Sequence, residues 1–299
     1  MLVDLFLPAI LTLIMFSLGL GLRGDDFMHV ARQPRAFGLG AFNQVVLLPI
    51  VGFAVATLFG LSPALAVGTM ILALCPGGVL SNVLARMAGG SVPLSVSLTA
   101  VISLTSILTL PLLTALSMRH FMGADAPPVD VTRLGLVMFA LTAVPVALGM
   151  ALTAVAPTLV ARIAPWTIRV AFALFVVLIV AALAANWAVF LANIGVLGPA
   201  LLTMNAVLLA LGLLTSRLAG LSVSDTTTVA IESGIQNGTL GIAVGGIVAG
   251  VATGLPEMTL PTAIYSVTTW ALSLPFVAWR RRMAAGSSAG PVGQSPEPG

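Results

Sequence analysis

Nine long apolar runs dominate the chain, at about 3–22, 37–60, 63–88, 92–118, 132–154, 165–186, 195–216, 224–251 and 259–280. The short stretches between them carry Gly, Pro or Arg. Each run matches or exceeds the roughly 20 residues a helix needs to cross a bilayer. The runs are continuous rather than alternating, which is the pattern of helical spans and not of barrel strands. They predict an all-α polytopic membrane protein of about nine transmembrane helices, filling residues 1–283. Residues 284–299 are small and rich in Pro, Gly and Ser, and predict a disordered tail.

The pattern fails in the middle of two runs. The third carries Cys75-Pro76-Gly77-Gly78 followed by Ser81-Asn82, and the eighth carries Glu232-Ser233-Gly234 followed by Gln236-Asn237-Gly238. A broken helix at membrane depth survives only where protein or a water-filled cavity satisfies the freed backbone. The two breaks lie five spans apart, and an odd offset inverts the second relative to the first. Runs two to four and seven to nine therefore read as an inverted repeat centred on a broken helix. That arrangement points to a secondary transporter with a site near the midplane.

Composition agrees: 59% of residues are hydrophobic, 7% are charged, and the mean hydropathy is +1.14. All 12 basic residues are Arg. With nine spans, nine of them (Arg23, Arg32, Arg35, Arg86, Arg162, Arg217, Arg280, Arg281 and Arg282) fall on one face. Arg119 and Arg133 fall on the other, and Arg169 lies near the start of a span on the first. The positive-inside bias then puts the C-terminus in the cytoplasm and the N-terminus outside, in a cell inner (plasma) membrane. The pI near 10.4 reports this topology and not nucleic-acid binding. The first run starts Met-Leu-Val-Asp without a basic flank and reads as a retained helix rather than a signal peptide. The single Cys75 forms no internal disulfide.

Of nine acidic residues, only Glu232 falls deep in an apolar run. An ionisable group there costs about 2.5–3.5 kcal/mol on insertion scales and marks an ion or substrate pathway by default. Neutral oxygens accompany it. Ser81 and Asn82 follow the first break, Ser95 and Thr99 lie at i and i+4 on one helix face, and Gln44 sits in the second run. Hard oxygen donors with little charge suit Na⁺ better than zinc or iron. An anion has another grip. Pro76 stops a helix and Gly77-Gly78 follow it, so a second half-helix starts near Val79 and Leu80, and another near Asn237 and Gly238. Each start presents unpaired N–H groups and about half a positive charge.

Plainer roles compete. Ser95 and Thr99 also suit a close helix interface, and Gln44 suits an interhelical hydrogen bond. Pro49, Pro111 and Pro145 read as kinks. His29 and His120 read as solvated loop residues, Trp166, Trp187 and Trp279 as interface anchors, and Cys75 as a small packed residue. Glu232 serves equally as a proton carrier, which leaves proton-coupled transport of an organic anion open. An intramembrane enzyme needs a nucleophile–base pair or a metal dyad at depth, and at depth these runs hold one carboxylate and no His.

The Cys-Pro-Gly-Gly-x-x-Ser-Asn stretch, the Glu-x-Gly-x-Gln-Asn stretch and Met15-Phe16-Ser17-Leu18-Gly19-Leu20 resemble the bile acid/sodium symporter family, in its bacterial type. The similarity runs from about residue 8 to 280. It implies a core domain (about 37–118 and 195–281) with two broken, crossing helices, beside a panel domain (about 3–22 and 132–186). It implies two Na⁺ as coupling ions and no other cofactor. The first would use Ser81, Asn82, Ser95, Thr99 and Glu232. The second would use Gln44, Glu232 and Gln236 with the backbone carbonyls of Ser233 and Ile235. The substrate implied is a small organic anion, met by Val79, Leu80, Asn237 and Gly238, with the bilayer as surroundings and no protein or nucleic-acid partner. The chain departs from the pattern at Val79, where many relatives have Thr, and at Thr269-Trp270, where bacterial relatives often have His-Asn.

Overall fold

The computed structural model describes residues 2–126, 128–249 and 255–288, all of whose regular elements are helical. The first run is α1 (Leu2–Leu20) and the second is α3 (Pro34–Phe42) joined through a π turn (Asn43–Leu47) to α4 (Leu48–Leu58). The third run is α5 (Pro63–Leu74) plus α6 (Val79–Met87), and the fourth is α7 (Val92–Met122). The fifth repeats the plan of the second, with α8 (Val131–Met138), a π turn (Phe139–Ala143) and α9 (Val144–Val155). There follow α10 (Pro157–Ala185), α11 (Trp187–Leu218), the broken pair α12 (Val223–Gly234) and α13 (Gly238–Val248), and α14 (Leu260–Ser288). Every predicted run is thus a helix or a helix pair. Six described helices are long and apolar enough to cross a membrane, and the bent α5–α6 pair makes a seventh. The described part of α1 offers only the shorter apolar helix Leu7–Leu20, and α12–α13 is not among those that meet the test, so nine crossings belong to the topology proposed below.

Three features of the expected map change. Between α1 and α3 lies a short helix, α2 (Gly24–Arg32), packed on α7, where Ser97 Oγ donates to the Asp26 carbonyl. Both histidines, expected in loops, lie on helices. His29 is in α2, and His120 is in the last turn of α7, with its ring 5.0 Å from that of Phe53 and 4.8 Å from that of Phe121. The C-terminal helix also runs to Ser288, past the start of the predicted tail, whose residues 289–299 lie outside the described residues.

The prolines act locally. Cys75, held extended by Pro76, has φ −73° and ψ 140°, so α5 stops at Leu74, two residues before the proline. Pro49 and Pro145 each follow a π turn, which absorbs the missing N–H and the ring clash by widening the preceding turn. Pro111 sits inside α7 without interrupting it.

At the first break, space rather than backbone freedom demands glycine at Gly77, whereas a Cβ on Gly78 would meet nothing closer than 3.6 Å. Neither Gly77 nor Gly78 has positive φ. A Cβ on Gly77 would collide with Glu232 Oε2 and lie 3.0 Å from Ser81 Oγ. The two breaks meet directly, where the Asn237 N–H donates to the Pro76 carbonyl at 2.8 Å. Around this crossing, α11 packs on α12, α14 and α4, while α5 packs on α4 and α7. Beside it, α1 packs on α9 and α10 and also on α13. A Cβ on Gly149 would sit 2.6 Å from the Phe16 carbonyl, so α1 and α9 touch through backbone.

Arg280 departs from the picture of a solvated terminal arginine. It is 2% exposed, and its Nε and Nη2 donate to Thr227 Oγ1 at 2.9 and 2.8 Å while Nη2 also donates to the Val223 carbonyl at 2.9 Å. It pins α14 to the first half of the second broken helix. Arg280→Ala is expected to remove about 1.5–3 kcal/mol of charge-assisted hydrogen bonding. The measurement is the melting temperature of the detergent-purified protein, which should fall by several degrees for Arg280→Ala and hold for Arg281→Ala, whose side chain is exposed. Equal falls would contradict the clamp.

Candidate functional site

Glu232 projects from the end of α12, fully buried, into a nest of oxygens. Ser95 Oγ approaches Glu232 Oε1 at 2.6 Å and Asn82 Oδ1 at 2.7 Å. Thr99 Oγ1 lies 3.1 Å from Glu232 Oε2 and 3.3 Å from Asn82 Oδ1. Ser81 Oγ donates to the Gly78 carbonyl at 2.7 Å and is also within hydrogen-bonding reach of the carboxylate. The i, i+4 face of α7, the first turn of α6 and the end of α12 therefore converge, and all five residues expected at the first cation site come together.

A count of protons sharpens this. Ser95 and Thr99 each make two contacts to acceptor oxygens, and a hydroxyl has a single proton to give. At each hydroxyl, one contact sets oxygen against oxygen with no hydrogen between. Glu232 adds a full negative charge, and among the described residues its hydrogen-bond partners are hydroxyls and one amide. Three things relieve such a cluster: a cation bound among the oxygens, a proton on the carboxylate, or the Asn82 amide turned so that its N–H groups face the two hydroxyls.

The second predicted set is only partly assembled. Gln44 bridges the breaks, its Nε2 3.5 Å from Glu232 Oε2 and its Oε1 accepting from the Gly77 N–H at 3.4 Å. Gln236 instead donates from Nε2 to the Ser233 carbonyl at 2.8 Å, and its Oε1 is buried without a partner. Among the described residues no hydrogen bond joins Gln236 to Gln44 or Glu232. The buried, unsatisfied amide oxygen is the kind of group a cation would satisfy. Ile235 is extended, with φ −121° and ψ 108°, and its carbonyl belongs to the unwound stretch between α12 and α13.

Three polar residues were missed in the sequence. Asn43 is 1% exposed and reaches Thr215 Oγ1 at 2.9 Å; the π turn widens the helix so that Asn43 and Gln44 both face inward. Asn205 of α11 and Tyr265 of α14 both donate to the Gly234 carbonyl, at 2.8 and 2.7 Å. A lone Asn or Tyr in an apolar run is common enough that only proximity to the break distinguishes these.

A cavity lies between the crossing and the α1–α10 pair. Val79, Leu80, Asn237 and Gly238, the expected substrate residues, all line it, with Gly78 and Gln236 beside them. Met15 and Leu18 of α1 and Phe172 and Phe175 of α10 close the opposite wall. The start of α6 has no side-chain cap, so its first N–H groups stay available, whereas Asn237 Oδ1 accepts from the Leu240 N–H at 3.1 Å and caps α13. Thr269 and Trp270 do not line this cavity. Thr269 Oγ1 is 3.1 Å from Asn205 Nδ2, and Trp270 packs near Leu84 and Ile231.

Comparison with known proteins extends the geometry. The sequence model of the Sodium Bile acid symporter family matches residues 8–193, which hold Gln44, Ser81, Asn82, Ser95 and Thr99. The chain is 32% identical over 276 residues to a protein of Arabidopsis thaliana named a probable sodium/metabolite cotransporter, BASS1, chloroplastic. That match covers 91% of this chain, extending over Glu232, and 66% of the plant protein. It is 29% identical over 263 residues to an uncharacterized sodium-dependent transporter of Bacillus subtilis, covering 88% of this chain and 78% of that one. It is also 29% identical over 235 residues to the human ileal sodium/bile acid cotransporter, covering 77% of this chain and 66% of that one. The chain spans about two thirds of the length of the plant and human relatives. By the extent of these matches, the chain belongs to the sodium bile acid symporter family.

Proposed function

We propose that the chain is a sodium-coupled secondary active symporter that imports a small organic anion by alternating access. The proton deficit around Glu232 carries this reading, because a bound cation relieves it. Na⁺ fits the donor set of hydroxyls, amide oxygens and one carboxylate. The relatives' names supply the coupling ion, since the plant, bacterial and human proteins are all named as sodium-linked. Two Na⁺ are assigned, the first to Ser81, Asn82, Ser95, Thr99 and Glu232. The second goes to Gln44, Glu232 and Gln236 with the carbonyls of Ser233 and Ile235. The anion sits in the cavity against Val79, Leu80, Asn237 and Gly238, with the uncapped N–H groups of α6 as its polar grip.

In this reading a core, built on the two broken helices, rocks against a panel of α1 and α8–α10, along a seam where α8 packs on α7, α10 on α14 and α1 on α13. In this topology the chain crosses a plasma membrane nine times, with the N-terminus outside and the C-terminus in the cytoplasm. Na⁺ binding ties α6, α7 and α12 together, so it stabilises the crossing before the substrate binds.

One observation also suits a second reading. A proton on Glu232 supplies a hydrogen to one of the two contacts and removes the buried charge, which gives a proton-coupled transporter. The two part in a Na⁺ titration of melting temperature at clamped pH, with K⁺ keeping ionic strength constant. Saturable stabilisation by Na⁺ is expected. Ser95→Ala and Thr99→Val should each raise the half-saturating Na⁺ concentration by roughly tenfold, the equivalent of about 1.4 kcal/mol. A wild-type melting curve indifferent to Na⁺ would favour the proton.

A further inference from the structure

We propose that Asn205 and Tyr265 are positioning residues of the second cation site, acting through the Gly234 carbonyl. This rests on the two-cation reading above, in which the Ile235 carbonyl is a ligand. Where a helix ends, its last carbonyls lose their intrahelical donors. At the end of α12 the Ile231 carbonyl still accepts from the Ile235 N–H, at 2.9 Å. The Ser233 carbonyl is taken by Gln236 Nε2. The Gly234 carbonyl receives two donors, the Tyr265 hydroxyl at 2.7 Å and Asn205 Nδ2 at 2.8 Å, which occupies both of its lone pairs.

Those donors come from one side only. Asn205 stands on α11 and Tyr265 on α14, and they are 0% and 1% exposed. The partners of Glu232 come from the π turn of the second run and from α6 and α7. Gly234 packs close against α11 here, since a Cβ on it would lie 2.6 Å from the Leu209 side chain. Ile235 is extended, and an extended residue turns successive carbonyls to opposite sides. Holding the Gly234 carbonyl toward α11 and α14 therefore turns the Ile235 carbonyl back toward the Glu232 side. Neither side chain touches the cation. Together they fix which way an unwound carbonyl faces.

Thr269 provides the internal control. Its hydroxyl touches Asn205 at 3.1 Å and Ser273 at 3.3 Å and makes no bond to Gly234. Thr269→Val thus perturbs the same polar cluster and keeps both donors to the carbonyl.

The test uses the full chain, purified in detergent and reconstituted in vesicles, with Na⁺ alone as the probe. Half-saturating Na⁺ and the steepness of the Na⁺ dependence are read from melting shifts and from uptake of radiolabelled Na⁺, beside the melting temperature without Na⁺. Tyr265→Phe and Asn205→Leu are expected to raise half-saturating Na⁺ by about tenfold, a loss on the scale of one buried hydrogen bond. They should also flatten a cooperative Na⁺ dependence toward a slope of one, while Thr269→Val keeps the wild-type curve. Tyr265→Phe deletes a single oxygen, so it remains informative if Asn205→Leu fails to fold. A lowered sodium-free melting temperature with an unchanged Na⁺ curve would overturn the proposal and leave a structural role. A wild-type protein without any Na⁺ response would sink the symport reading itself, and this proposal with it, and is told apart by being seen before any substitution.

Discussion

Replacing Glu232 by Gln is expected to abolish both Na⁺-dependent stabilisation and Na⁺-driven uptake while the protein still folds. The carboxylate is the one full negative charge at the crossing, and it belongs to both proposed cation sites, so its loss strips each of them. Folding should survive for a reason specific to this nest. Ser95 and Thr99 have too few protons for the oxygens they face. A Gln side chain carries no charge and puts N–H donors in place of one carboxylate oxygen, so one of the two contacts gains a hydrogen and no buried charge is left uncompensated. The sodium-free melting temperature of Glu232→Gln should match or exceed that of the wild type, and its Na⁺ titration should be flat. A saturable Na⁺ shift in this variant would end the shared-carboxylate model.

The second large effect concerns voltage. Two Na⁺ against one carboxylate leave one net positive charge in the core, which a monoanionic substrate neutralises. A turnover that carries two Na⁺ and one monoanion moves one positive charge inward. A potential of 100 mV, inside negative, then adds about 2.3 kcal/mol to the driving force, a factor of roughly 40–50 in the attainable accumulation. Uptake into vesicles at a fixed Na⁺ gradient should rise steeply when a K⁺ diffusion potential makes the interior negative. Monoanion uptake indifferent to that potential would contradict two-Na⁺ coupling and point to one-to-one symport.

The broken helices were legible because their signals are local. Pro76 dictates an extended Cys75, and Gly238 follows a capping Asn237, so both half-helix starts follow from neighbouring residues alone. The same holds for Ser95 and Thr99, whose spacing fixes their shared face. What escaped was nonlocal or too short to carry a pattern. α2 is a nine-residue amphipathic helix that is held by packing on α7. The π turn that brings Asn43 inward shifts the angular register of a helix whose sequence gives only the proline after it. Asn205 and Tyr265 acquire meaning from a carbonyl many residues away, and Arg280 is buried because α12 offers it a threonine and a carbonyl. The glycines of the first break look like hinges in the sequence, yet Gly77 is there because a carboxylate occupies the space of a side chain.

The hydrogen bond from the Asn237 N–H to the Pro76 carbonyl makes the two breaks one mechanical part. A displacement at either unwound segment is transmitted to the other through a 2.8 Å strut that only Asn237→Pro, which removes the N–H, would delete, since both of its atoms are main chain. Free energies measured at one break will therefore include relaxation at the other. Paired substitutions across the crossing will depart from additivity even where their side chains never meet.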